Sequence, residues 1–146
     1  MTNSLTITRE HIENLKPGLE LDALIAEHVF RWRRIKGPSF DYDGPCESND
    51  VLIPPTMKNN EAFGCMPPRG AIPLTYFVNR GWSTDRSRAW EVLDNFKQYN
   101  LMRAAGWEKE YECRIWVGIT GDQWSVQAKT AAESICKAAL LAVLKL

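Results

Sequence analysis

Apolar residues recur at three- and four-residue spacing in several parts of the chain and alternate at period two in another. Leu21, Leu24, Ile25, His28 and Val29 form one stripe, which predicts a helix over residues 19–30 packed on one face. A shorter helix over 9–15 precedes it, with Thr8 as its cap and Pro17-Gly18 as its stop. Further on, Ala89, Trp90, Val92, Leu93 and Phe96 give an inner face to a helix opened by Ser83-Thr84-Asp85. The clearest β pattern follows. Tyr111, Cys113, Ile115 and Val117 alternate with Glu112, Arg114 and Trp116, as on a half-buried strand. Thr120-Gly121-Asp122 then turns the chain, and Trp124, Val126 and Ala128 alternate on the way back, predicting a β-hairpin. Thr130-Ala131-Ala132-Glu133 is a capping box that starts a last helix, whose apolar face is broad and rich in small residues.

Between these elements the chain changes character. Seven of the eight prolines and four of the nine glycines fall within residues 37–73, which favours turns and extended pieces over helix. Val51-Leu52-Ile53, ended by Pro54-Pro55, predicts a short or edge strand, and residues 72–78 a second strand leading into the turn Asn79-Arg80-Gly81. Antiparallel strands with segregated helices make a layered α+β domain. At 146 residues a single domain, 1–146, is expected.

Composition narrows the function classes. Eighteen basic and eighteen acidic side chains cancel to a formal net charge of zero. That argues against duplex DNA as a partner, because duplex affinity rests on neutralising many phosphates. The N-terminus lacks a basic, apolar leader, and the most apolar stretch, 138–146, is about half the length that crosses a bilayer. A cytoplasmic protein with no membrane partner is therefore expected. Its cysteines, Cys46, Cys65, Cys113 and Cys136, are expected to be reduced, and none forms a CxxC pair. No metal site or cofactor is expected.

Four blocks stand out: Leu21-Asp22-Ala23-Leu24-Ile25-Ala26-Glu27-His28-Val29, Asp41-Tyr42-Asp43-Gly44, Ser83-Thr84-Asp85 running into Ala89-Trp90-Glu91-Val92, and Ala132-Glu133-Ser134-Ile135-Cys136-Lys137-Ala138-Ala139-Leu140. With them the chain resembles the phage ABA sandwich domain proteins, small proteins of phages and prophages. Arg69-Gly70-Ala71-Ile72-Pro73-Leu74 is also similar, and the blocks keep the family order. The resemblance implies a helix–sheet–helix sandwich with a mostly antiparallel sheet, and it supplies no reaction. One departure stands out. A glycine followed by a tryptophan-containing turn is usual after the position of Val29, where this chain has Phe30-Arg31-Trp32-Arg33-Arg34.

Two constellations could carry chemistry. In Arg31-Trp32-Arg33-Arg34-Ile35-Lys36 four positive charges surround one indole, which suits phosphate contact plus stacking. The competing reading is a helix C-terminus whose cations complement the macrodipole while Trp32 completes the core. In Arg80-Gly81-Trp82-Ser83-Thr84-Asp85-Arg86 a helix N-terminus, two hydroxyls, two arginines and a tryptophan could hold an anion. The competing reading there is capping by Ser83 or Thr84, with Asp85 in the first turn. Candidate ligand-binding residues are therefore Arg31, Trp32, Arg34, Arg80, Trp82, Ser83, Thr84 and Arg86. The acidic turns at 41–44 and 47–50 lack the closing glutamate of a calcium loop.

No nucleophile motif, metal cluster or cofactor loop is present, so a non-enzymatic protein is expected. The expected activity is capture of a small anionic nucleotide, such as a host immune cyclic-nucleotide signal. The alternatives are an inhibitor or adaptor acting on a host protein, or an accessory protein for single-stranded nucleic acid. A homo-oligomer is expected through the last helix, which is apolar on more than one face.

Overall fold

The computed structural model describes residues 7–36, 50–58, 77–78, 80–117 and 121–146. Helix α1 spans Arg9–Asn14, and the Thr8 hydroxyl caps it by accepting from the His11 N–H. Helix α2 spans Leu19–His28, two residues shorter than the apolar stripe suggested. It buries Leu21, Ala23, Ile25 and Ala26, together with one carboxylate, Asp22. The basic stretch that follows is no helix end. Arg31 adopts a left-handed conformation (φ +58°), the Trp32 N–H returns to the Ala26 C=O, and Arg33–Lys36 runs on as strand β1. That strand pairs antiparallel with β2, Asp50–Ile53, with Arg34 opposite Leu52 and Ile35 opposite Val51.

Helix α3, Arg86–Leu93, starts two residues later than expected because Asp85, rather than Ser83 or Thr84, is its cap. It buries Ala89, Val92 and Leu93, but Trp90, expected on the inner face, is 42% exposed. A three-stranded antiparallel sheet follows, in the order β3 (Gln98–Arg103), β4 (Tyr111–Trp116) and β5 (Gln123–Ala128). The β4–β5 hairpin has the expected alternation, with Cys113, Ile115, Val126 and Ala128 buried on one face. Strand β3 is absent from the apolar pattern, because only Leu101 of its six residues is less than exposed.

Helix α4, Ala131–Leu144, is buried on nearly every side from Ala131 to Ala142. A helix that is apolar all round needs cover all round. It packs across β4 and β5 and also against α1, α2 and α3. The chain is thus a layered α+β domain with antiparallel sheets, and α4 lies at its centre. The main core gathers Leu21 and Ile25 of α2, Val92 and Leu93 of α3, Ile115 of β4 and Ile135 of α4, and a smaller cluster forms around Val51 and Ile53 of β2. This coverage removes the ground for self-association through α4. Of the strand expected over 72–78, Phe77 and Val78 are described and are not in a strand, while 72–76, the acidic turns 41–44 and 47–49, Cys46 and Cys65 lie outside the described residues.

Candidate functional site

The fold brings the two arginine–tryptophan constellations to one place. The Trp32 and Trp82 rings meet edge to face with centroids 5.9 Å apart, and Phe30 stacks on Trp82 at 4.7 Å. The Arg80 guanidinium lies 5.6 Å from the Trp32 ring centroid, within cation–π reach. The indoles themselves, however, are structural. Trp32 and Trp82 keep 7% and 2% of their surface, so neither offers a face to a ligand. The Trp82 indole N–H is also committed, donating to Glu91 Oε2 at 3.0 Å.

Ser83 is equally spent. Its hydroxyl accepts from the Gly18 N–H at 2.9 Å and donates to the Gly18 C=O, while its own N–H donates to Asp22 Oδ1 at 2.8 Å. Burial pushes the Asp22 carboxyl above its ordinary value, against the pull of the bonds from Ser83. The N-terminus of α3 already holds an anion of its own, because Asp85 Oδ1 accepts from the Ser87 and Arg88 N–H groups. Thr84 is exposed, and its hydroxyl donates to the Gly81 C=O at 3.4 Å. Arg34 makes a two-point bond to Glu27, at 2.9 and 3.0 Å, which holds the Glu27 carboxyl below its usual range. Arg31, Arg80 and Arg86 are exposed.

A second site is a groove, and nothing in the sequence marked it. Two adjoining hollows of about 390 and 320 Å³ run between the end of α1, the outer edge of β5 and the β3–β4 turn. Both are lined by Glu13, Asn14, Lys109 and Gln127, and the smaller also by Lys16, Lys129, Glu133 and Lys137. Each carboxylate of the groove has its own cation. Glu13 pairs with Arg9, Glu112 with Arg114, and Glu133 with Lys137 at 2.6 Å. Lys137, only 3% exposed, also donates to the Glu13 C=O at 2.9 Å, tying α1 to α4. Among the described residues no carboxylate forms an ion pair with Lys16, Lys109 or Lys129. Three lysines from three separate turns therefore line one groove, none of them ion-paired with a described carboxylate. Trp107, 63% exposed, lines a neighbouring hollow that shares Lys109 and Gln127 with it.

Nucleophilic chemistry is not prepared in the core. Burial pushes the Cys113 thiol up to about 12 and the Cys136 thiol well above its ordinary value, so both are protonated at neutral pH. Among the described residues no group of three His, Cys, Asp or Glu side chains could hold a metal ion. No helix among them is long and apolar enough to cross a membrane.

A small layered α+β domain, with helices around a central helix and an antiparallel sheet, is the class this fold defines. Residues 23–140 match the phage ABA sandwich domain family, and the chain belongs to it. The fold also resembles a phage protein from Bacillus cereus ATCC 14579, known from a 2.0 Å crystal structure, with a TM-score of 0.51 and 20% identity. The match covers 86% of this chain and 90% of that one, and it concerns the fold alone. No curated protein matches the sequence.

Proposed function

We propose that this protein is a non-enzymatic binding protein that captures a small anionic nucleotide in the groove between α1, β5 and the β3–β4 turn. One observation carries the reading: Lys16, Lys109 and Lys129 converge there with no carboxylate partner among the described residues, beside an exposed indole. Like charges gathered in a hollow repel one another until an anion fills it, and each ammonium–phosphate bond formed contributes about 1.5–3 kcal/mol. Trp107 would take the flat face of a base, since base–aromatic stacking adds roughly 1–3 kcal/mol and requires no particular base. The hollows are also of the size that small-molecule sites occupy. Zero net charge is compatible with this, because the attraction is local. A role in sequestering a host immune cyclic nucleotide follows from the ligand class together with the phage family.

The test is a release assay. The protein is incubated with cyclic dinucleotides, cyclic ADP-ribose, AMP and, as a control, adenosine, and the filtrate is assayed before and after heat denaturation. Depletion before heating with intact ligand afterwards supports capture, and adenosine should not be depleted. Absence of binding across the panel overturns the proposal, and ligand destroyed after heating points to an enzyme. Retention of a stoichiometric host protein instead would favour the inhibitor reading.

A further inference from the structure

The two edges of the three-stranded sheet are treated differently. Hydrogen bonds in an antiparallel ladder alternate, so each residue points its N–H and C=O to one side only. The Ala104 N–H bonds the Glu110 C=O and continues the β3–β4 register, which turns residues 98, 100 and 102 toward β4. Tyr99, Leu101 and Arg103 therefore aim their backbone groups at the edge away from β4. On the opposite side the same rule turns Ser125 of β5 outward, and there Arg9 of α1 reaches in to donate to its C=O at 3.4 Å. The β5 edge is thus attended by α1. Among the described residues no strand pairs with the β3 edge.

That edge lacks two of the usual safeguards and keeps only the charge of Arg103, which is itself paired with Glu110. It carries no proline, its register has no bulge, and Tyr99 and Met102 stand 40% and 52% exposed along it. Trp90, itself exposed, meets Tyr99 edge to face at 6.3 Å and borders the same strip.

We infer that β3 pairs antiparallel with β3 of a second copy of this chain, joining two three-stranded sheets into one across a two-fold axis at Leu101. The register follows from the geometry. A two-fold normal to the sheet keeps each face on its own side, so opposed residues must share a face. With Leu101 on the axis, Leu101 faces Leu101 of the second copy and Tyr99 faces its Arg103. All three outward residues of each copy then exchange both backbone hydrogen bonds. The side chains match as well. Leucine meets leucine beside the core, and the Arg103 guanidinium, which already lies 5.7 Å from the Tyr111 ring, reaches a second aromatic face at Tyr99. This self-complementarity selects a copy of the chain over an unrelated strand. The inference is independent of the proposed ligand.

Sedimentation velocity of the full chain is expected to show twice the monomer mass at micromolar concentration. In Leu101→Pro the lost N–H is one that faces the seam, so the β3–β4 ladder keeps every bond while the dimer loses two. Its midpoint of association should rise by about a hundredfold or more with unchanged circular dichroism. In a Cys46→Ser/Cys65→Ser background, Leu101→Cys should crosslink to itself under mild oxidation, since opposed Cα atoms lie roughly 5.5 Å apart, within disulfide range. A wild-type chain that stays monomeric overturns the inference, and so does a Leu101→Pro variant that remains dimeric. If that variant fails to fold, the crosslink decides: a dimer that Leu101→Cys does not crosslink uses another surface.

Discussion

Arg31 holds its backbone at φ +58°, a region where a side chain costs roughly 1–2 kcal/mol and glycine costs little. It occupies the turn at which the resembling family usually has a glycine. Arg31→Gly is accordingly expected to stabilise the fold by about 1 kcal/mol, read as an increase in Tm. Asp22 shows a different conflict. Its folded pKa lies above the ordinary 3.8, so the fold favours its protonated form. Stability from this group is complete below that value and is lost as the pH rises through the folded pKa. Asp22→Asn keeps an oxygen for the Ser83 N–H without the buried charge. Its Tm should exceed that of the wild type at pH 7, and the difference should close at pH 3. Glu27 runs the other way. Its pKa is lowered by Arg34, so its contribution is present above 4.5 and is lost as the pH falls through the folded value. Neither Asp22 nor Lys137 could be singled out from the sequence. Each sits in an apolar helical pattern that predicts which face is buried and not which polar residue is carried in with it.

At the level of elements, local signals and long-range ones divided cleanly. The Thr8 and Thr130 caps were legible because a cap is satisfied within its own turn. Half of the expected capping box was not. The Glu133 side chain pairs with Lys137 one turn on, because Lys137 is buried and needs that carboxylate. Removing Lys137 leaves the Glu133 carboxylate half-buried and the Glu13 C=O without this donor. Lys137→Met should therefore destabilise the fold by about 2 kcal/mol and speed amide exchange in α1. Adding Glu133→Gln should recover part of the loss, measured by urea unfolding. Strand β3 escaped detection because an exposed edge strand has no buried face to impose alternation. Trp90 was misplaced for a related reason: helical spacing put it on a stripe, but α3 meets its neighbours through Ala89, Val92 and Leu93.

Over the whole molecule, charge is distributed in a way that a zero sum conceals. Among the described residues, each carboxylate lining the α1–β5 groove is matched by a cation, while Lys16, Lys109 and Lys129, which are not matched, stand together. Lys16→Ala, Lys109→Ala and Lys129→Ala should each weaken nucleotide binding about tenfold or more, measured by calorimetry, and leave Tm nearly unchanged. Arg31→Ala, Arg80→Ala and Arg86→Ala should have much smaller effects, because they lie on the other constellation. Affinity should fall as salt rises, since these ammonium groups are exposed.

The sequence alone determined the layered α+β class, the Thr8 and Thr130 caps, the β4–β5 hairpin and the family, because each rests on neighbours in the chain or on a spacing of two, three or four residues. It also placed the arginine–tryptophan constellations, without revealing that their indoles face inward. The tertiary structure decided which charges are matched, which edge of the sheet is attended and where a groove opens. Lys16, Lys109 and Lys129 are separated by long stretches of chain and share no periodicity, so only folding could bring them to one hollow.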